Sequence, residues 1–169
     1  MYNHLVVLDL YLMSVSALFK CFIHVTELFS GCYLLTKEEY VNRYGDVTEM
    51  ELFHATSALN IPSITRNNFD WRRSVRTKFG VGVSFSTSAR YANWHCNPNN
   101  PSRRAMFIAK VLVHSACKGH SAMKLPLRAD TSTGNFGFVN VKFSDNEFYP
   151  TYVAYYYSEP VPVRRFQYL

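Results

Sequence analysis

Apolar and polar positions change their spacing several times along the 169 residues, and each change marks an element. The clearest run is Ala105 to Val113, where Met106, Phe107, Ile108, Val111, Leu112 and Val113 are almost continuously apolar. Such a run predicts a strand buried on both faces. Phe136 to Phe143 alternates instead, with Phe136, Phe138 and Asn140 on one side and Val139, Val141 and Phe143 on the other, which predicts a second strand. Met50 to His54, Gly82 to Ser86 and Tyr149 to Tyr157 read as further strands. Lys37 to Tyr44 has helical composition, with Thr36 as N-cap, Glu39 at the capping-box position and Gly45-Asp46 as the stop. A second helix starts at Ser57, is kinked or delayed by Pro62, and closes at Asn67-Asn68. A third spans Ser88 to His95, capped by Thr87 or Ser88. Asn97 to Pro101 and Asp145-Asn146 read as turns, and Lys118 to Thr133 as a loop. Helices come early and strands late, so the expected class is α+β and not a doubly wound parallel sheet.

Residues 5–25 are strongly apolar but interrupted by Asp9, Lys20 and His24. An Asp at mid-span costs roughly 3 kcal/mol in a bilayer. Met1-Tyr2-Asn3-His4 has no basic n-region, and no small-x-small cleavage site follows. A buried helix or strand pair is the preferred reading. Membrane association or secretion is a second, and a segment outside the fold a third. Residues 1–35 are therefore set apart from a single domain over 36–169.

Composition narrows the class. Hydrophobic content of 48% with 18% charged residues indicates a globular chain. The net charge of +6 suits a polyanionic partner. Arg66, Arg72, Arg73, Arg76 and Lys78 cluster against the single acid Asp70. That stretch is either a solvated loop or a phosphate-facing or nucleic-acid-facing edge, and no zinc-finger or RNA-binding motif accompanies it. None of the four cysteines forms C-x-x-C, as expected of a reduced intracellular protein. The lack of an N-x-S/T sequon also fits a nuclear or cytoplasmic location. His114, Cys117 and His120 have metal-like spacing, but a fourth ligand would have to come from His95 or Cys96. A loop is the preferred reading there, with no metal.

Two stretches carry candidate chemistry. Leu52-Phe53-His54-Ala55-Thr56-Ser57 is a strand ending in a polar cluster, and Phe79-Gly80-Val81-Gly82-Val83-Ser84-Phe85 is a glycine-rich turn entering another strand. A His beside small residues and hydroxyls, followed by G-x-G, is a plausible nucleotide pocket. With Asn68-Phe69-Asp70-Trp71-Arg72, Met106 to Val113 and Tyr149-Pro150-Thr151-Tyr152, they form five ordered landmarks. Together these resemble the catalytic domain of the poly(ADP-ribose) polymerase (PARP) superfamily, from about Tyr40 to Pro160. The nearest likeness is to mono-ADP-ribosylating members, which carry N-F-D-W-R and Y-P-x-Y.

The resemblance implies a split, mostly antiparallel sheet with flanking helices and an NAD cleft. It implies NAD as co-substrate, protein acceptors, and mono-ADP-ribosyl transfer with release of nicotinamide. By the same likeness, His54 would bond the adenosine ribose, supported by Thr56. Ala55, in place of a Gly, would hold the nicotinamide amide through its backbone. The family's catalytic His-Tyr-Glu becomes His54, Ser84 and Val139, and an apolar Val139 argues against polymer formation. Ala92 replaces a Ser that bonds nicotinamide, and His95 a Tyr that stacks on it. Ser57, Asp70, Arg72, Gly80, Gly82 and Phe85 complete the implied NAD-contacting set. Asp130-Thr131 matches a family Asp-Ser. A second reading also follows. Ala55, Ser84 and Ala92 all weaken the nicotinamide end, which would leave a pseudoenzyme that keeps the fold as a binding module.

Overall fold

The computed structural model describes residues 27–75, 77–95 and 104–156. The apolar stretch 5–25, the turn at 97–101, Arg76 and Cys96 lie outside the described residues. The elements run α1 (Glu27–Tyr44), β1 (Thr48–Ser57), a 3-10 turn (Ala58–Asn60), α2 (Ile61–Asn67), a second 3-10 turn (Trp71–Arg73) and β2 (Val83–Ser86). There follow α3 (Ala89–His95), β3 (Arg104–Val113), β4 (Ala116–Lys118), β5 (Thr131–Gly134), β6 (Val139–Lys142) and β7 (Phe148–Tyr156). The α+β expectation holds.

The strands form one sheet in the order β4-β5-β6-β2-β1-β3-β7, antiparallel except for β4 with β5. Its two halves are unequally joined. β1 pairs with β3 along its whole length, from Thr48 opposite Val113 to Ser57 opposite Arg104. β2 pairs with β6 over four residues. Between the halves, β1 and β2 share one ladder pair, Phe53 with Ser86. The sheet is thus mostly antiparallel, as the resemblance implies, and is joined most weakly at its middle.

β3 is the double-faced strand that its apolar run predicts. Ala105, Phe107, Ala109 and Val111 enter a core with Leu52, Ile61, Phe69, Phe85 and Phe148. On the other face Leu112 meets Tyr33 of α1 and Tyr149 of β7. A second cluster of Val139, Val141 and Phe143 is covered by Phe79, Tyr91 and Met123.

Several boundaries differ from expectation for local reasons. The helix predicted over 37–44 is the second half of α1, which starts at Glu27. Thr36 therefore does not cap. It lies inside the helix and its Oγ1 donates to the Cys32 carbonyl at 3.0 Å. Ser57 does cap, accepting from Leu59 N at 3.3 Å, but it starts a 3-10 turn, and α2 begins only at Ile61 with Pro62 in its first turn. Phe136 is not a strand residue. Asn135, Phe136 and Gly137 have φ of 52°, 57° and 87°, and they form the tight turn between β5 and β6. The supposed loop 118–133 includes the end of β4 and most of β5. Thr131 and Ser132 in β5 are fully buried but polar, so no hydrophobic alternation marks them.

A buried charge cluster lies at the end of β6. Lys142 is fully buried, 2.6 Å from Asp130 Oδ2 and 3.2 Å from Glu147 Oε2. Its ammonium also donates to Thr131 Oγ1 at 3.0 Å. Tyr40 of α1 donates to Glu147 Oε1. Asp130 accepts further bonds from the backbone N–H of Ser115 (2.6 Å) and His114 (3.2 Å). One cation faces two carboxylates, and they divide its effect. Burial pushes both upward. In Asp130 the nearer Lys142 and the backbone donors outweigh burial and hold the carboxyl below its ordinary range. In Glu147 burial wins and the carboxyl titrates above its ordinary range. Replacing Lys142 by Met leaves both acids buried without their cation. We expect Lys142→Met to lose about 3 kcal/mol or more in urea unfolding at neutral pH. Adding Glu147→Gln should recover part of that loss.

Glu49 anchors the other side of α1. It lies 2.9 Å from Lys37 Nζ and 3.0 Å from Lys110 Nζ, and accepts from Tyr33 OH at 3.0 Å. Burial pushes its carboxyl up, but the bonds from Lys37, Lys110 and Tyr33 outweigh burial and hold it at about 2. The folded carboxyl therefore releases its proton more readily than the unfolded one. Its contribution is complete above the ordinary value of 4.5 and disappears as pH falls towards 2. Glu49→Gln should remove on the order of 2 kcal/mol at pH 7 and flatten stability between pH 4.5 and 2, read by denaturant titrations across that range.

Candidate active site

The candidate site forms where the two halves of the sheet meet. Just past the single ladder pair, His54 Nδ1 lies 2.9 Å from the carbonyl oxygen of Ser84. A carbonyl only accepts, so Nδ1 carries the proton and donates it. The imidazole packs edge-on against Phe69, with ring centroids 4.9 Å apart, and tilted against Phe85 at 5.9 Å. Burial lowers its pKa below the ordinary 6.5, against an opposing lift from the Ser84 carbonyl. His54 is therefore neutral at physiological pH, and its Nε2 holds a lone pair that can accept a hydrogen bond from a sugar hydroxyl.

Neighbouring side chains set the end of β1. Ala55 is half-buried and pairs with Met106. Thr56 is buried, and its Oγ1 accepts from Asn60 Nδ2 at 2.8 Å. Ser57 serves the following turn.

The glycine turn is dictated by packing. A Cβ on Gly80 would lie 2.6 Å from the Phe143 ring, and one on Gly82 would lie 2.2 Å from the Lys142 carbonyl. Gly82 also accepts from Ser74 Oγ at 2.5 Å. These glycines let β2 approach β6, whose register puts Ser84 opposite Val141 and Ser86 opposite Val139. Ser84 and Val139 accordingly share one face of that half. Phe85 points the other way, into the core with Phe69 and Phe148.

Tyr91 lies in α3, as the sequence reading of a helix over 88–95 expects. It packs on the Val139–Phe143 cluster, close to the face carrying Ser84. Phe138 stacks near-parallel to it, with centroids 6.1 Å apart, and His95 lies against it at 4.2 Å. Ala92, one residue on, bonds back to the Ser88 carbonyl through its N–H within α3. The helix is capped by Ser88, whose Oγ accepts from Tyr91 N at 3.3 Å.

Asp70 and Arg72 are brought together but not into this cluster. Arg72 bonds Asp70 Oδ1 at 3.0 Å and forks onto Asp145 at 2.9 and 3.3 Å, over the Trp71 ring. Arg73 bonds Ser63 at 3.1 Å. Ion pairing with Asp70 and Asp145 thus engages the Arg72 charge that the nucleic-acid reading needs. Asp130 is taken up by Lys142. His114 stacks on Tyr44 at 4.2 Å and lies 3.8 Å from Asp46. Among the described residues no group of three or more His, Cys, Asp or Glu could hold a metal ion, and no helix is long and apolar enough to cross a membrane.

No family model matches the chain. It is similar, however, to human protein mono-ADP-ribosyltransferase PARP12, with 31% identity over 128 residues, covering 69% of this chain and 18% of that protein. The mouse PARP12 is 30% identical over 129 residues with the same coverage. Mouse protein mono-ADP-ribosyltransferase PARP11 is 27% identical over 138 residues, covering 63% of this chain and 42% of that protein. The chain thus spans less than a fifth of the first two relatives and about two fifths of the third. These likenesses, with the mostly antiparallel sheet, support membership of the PARP superfamily.

Proposed function

We propose that this chain binds NAD and transfers one ADP-ribose unit to a protein side chain, releasing nicotinamide. The observation that carries the reading is the neutral His54, fixed by its Nδ1–H on the Ser84 carbonyl, in a chain similar to mono-ADP-ribosyltransferases. In the reaction the bond between the ribose C1′ and the nicotinamide nitrogen breaks, and its electron pair leaves with nicotinamide. The acceptor side chain donates a pair to C1′ and gives up its proton. Little covalent help from the protein is needed, so positioning and electrostatics supply most of the rate.

His54 has the form required to accept a ribose hydroxyl. Its fixed ring avoids the entropy of orienting a free imidazole during the reaction. At the other end, Val139 sits in an apolar cluster, and the resemblance sets it at the position where polymer-forming members carry Glu. With no carboxylate at that position to activate a bound ribose hydroxyl, one transfer is the favoured outcome. Tyr91 covers the Val139 cluster on Ser84's face and packs with His95 and Phe138, and a nicotinamide ring would stack there. Ala55 would meet the amide through its backbone, and Thr56 would support the ribose end.

Incubating the protein with NAD labelled in its adenosine half, then separating protein from free label, tests the reading. Label should enter the chain itself or a lysate protein as a single unit. His54→Ala should lower incorporation by about 100-fold, since a misplaced sugar costs that much. Calorimetry with a non-hydrolysable NAD analogue separates the alternatives. Binding without transfer would leave the pseudoenzyme reading, and neither binding nor transfer would overturn both.

A further inference from the structure

From Trp71 to Ala129 the chain contains no Asp or Glu, yet this stretch holds eleven of its 18 Lys and Arg residues. The fold engages some of them. Arg72 is paired with Asp70 and Asp145, and Lys110 with Glu49. Lys78, Lys118 and Lys124 are exposed and make no ion pair among the described residues.

These three lysines belong to one place. The glycine turn and the segment after β4 are packed tightly together. Val81 N donates to the Met123 carbonyl at 2.7 Å, and a Cβ on Gly119 would lie 2.1 Å from the Phe79 carbonyl. Ser132 Oγ bonds the same Phe79 carbonyl at 2.6 Å. Lys78 adjoins Phe79, Lys118 adjoins Gly119, and Lys124 adjoins Met123. The Lys78 ammonium stands 5.2 Å above the Phe79 ring. Phe79 and Met123 also cover the cluster that contains Val139. The lysines thus form a rim beside the Val139 cluster, where the transferase reading puts nicotinamide, and the nearest acids in sequence, Asp70 and Asp130, are occupied by Arg72 and Lys142.

We propose that this rim docks an acidic segment of the acceptor protein, and so selects acceptors whose modified residue lies among Asp and Glu. The proposal rests on the transferase reading. A solvated lysine rim gives modest affinity, fast capture and strong salt dependence, which suits a substrate that must leave after one transfer. An acidic peptide is favoured over nucleic acid because the rim flanks the position of transfer and because ion pairing engages Arg72, which the sequence-level basic cluster requires.

Fluorescence anisotropy of a labelled dodecapeptide of alternating Glu and Ser, against the whole chain, tests docking without needing turnover. Binding should weaken about tenfold between 50 and 200 mM salt. It should weaken by a similar factor in a Lys78→Glu, Lys118→Glu, Lys124→Glu variant whose thermal melt matches the parent, but not in Arg43→Glu. Labelled NAD should modify an acidic carrier peptide in preference to its Gln and Asn counterpart, and the preference should vanish in the triple variant. Equal peptide binding by parent and triple variant overturns the proposal. So does tight binding of oligo-dT or single-stranded RNA with none of the peptide. Peptide binding without any NAD transfer would sink the transferase reading and leave the acidic docking site standing.

Discussion

The molecule depends on how a sheet joined at one ladder pair is kept together. β1 and β2 meet only at Phe53 and Ser86, so the hydrogen bonds that normally fuse neighbouring strands are missing over most of the seam. Three other interactions close it. The His54–Ser84 bond crosses directly beside the ladder pair. A ring cluster crosses beneath it, with Phe85 from one half set against Phe69 and Phe148, at centroid distances of 5.3 and 5.5 Å. Farther along, Lys142 of β6 draws in Glu147, at the entry to β7, and through it Tyr40 of α1. Aromatic burial supplies most of the attraction, while the charge cluster and the imidazole are directional and set how the halves sit.

Such a seam explains the placement of the candidate chemistry. A fully paired sheet has no room for a polar side chain between adjacent strands. Where pairing lapses, a side chain can turn its ring into the gap and take the unpaired carbonyl for itself. His54 does so, and the carbonyl must be satisfied in any case. Burial among Phe69 and Phe85 then keeps the ring neutral. The fixed tautomer and the lowered pKa therefore have one cause.

Much of this was legible in the residues, and the failures are instructive. β3 could be read because both its faces are buried in apolar surroundings, so its side chains report its environment directly. The α3 boundary could be read because Ser88 caps by a local bond. β4 and β5 could not, since Thr131 and Ser132 are buried through hydrogen bonds and carry no apolar signal. Phe136 misled because a large aromatic normally argues for a strand, whereas here it stands exposed at positive φ in a tight turn. For the site, His54 and the glycines were marked by their motif. The rings around Tyr91 depend on α3 folding over a turn distant in sequence. Lys142 was visible in principle as a charge inside Val139-Asn140-Val141-Lys142-Phe143, but its partners lie 12 residues before it and five after.

The departure at Ser84 separates two roles that one position performs. What His54 needs from that position is a carbonyl at 2.9 Å, and every residue type has one. The geometry of the imidazole is therefore indifferent to the side chain at 84, provided β2 keeps its register on β6. That register is protected by Gly82, where no Cβ fits, and by Val141 and Val139 opposite Ser84 and Ser86. A side chain at 84, by contrast, faces the Val139 cluster, where the leaving group would lie. On the transferase reading, a Ser in place of a Tyr ring there would remove a contact to substrate and leave the seam and the His54 imidazole in place. The fold and the sugar end of the site can thus persist while the nicotinamide end drifts. On the transferase reading, affinity for the leaving half of NAD would pass to rings supplied by α3 and the β5–β6 turn, namely Tyr91, His95 and Phe138.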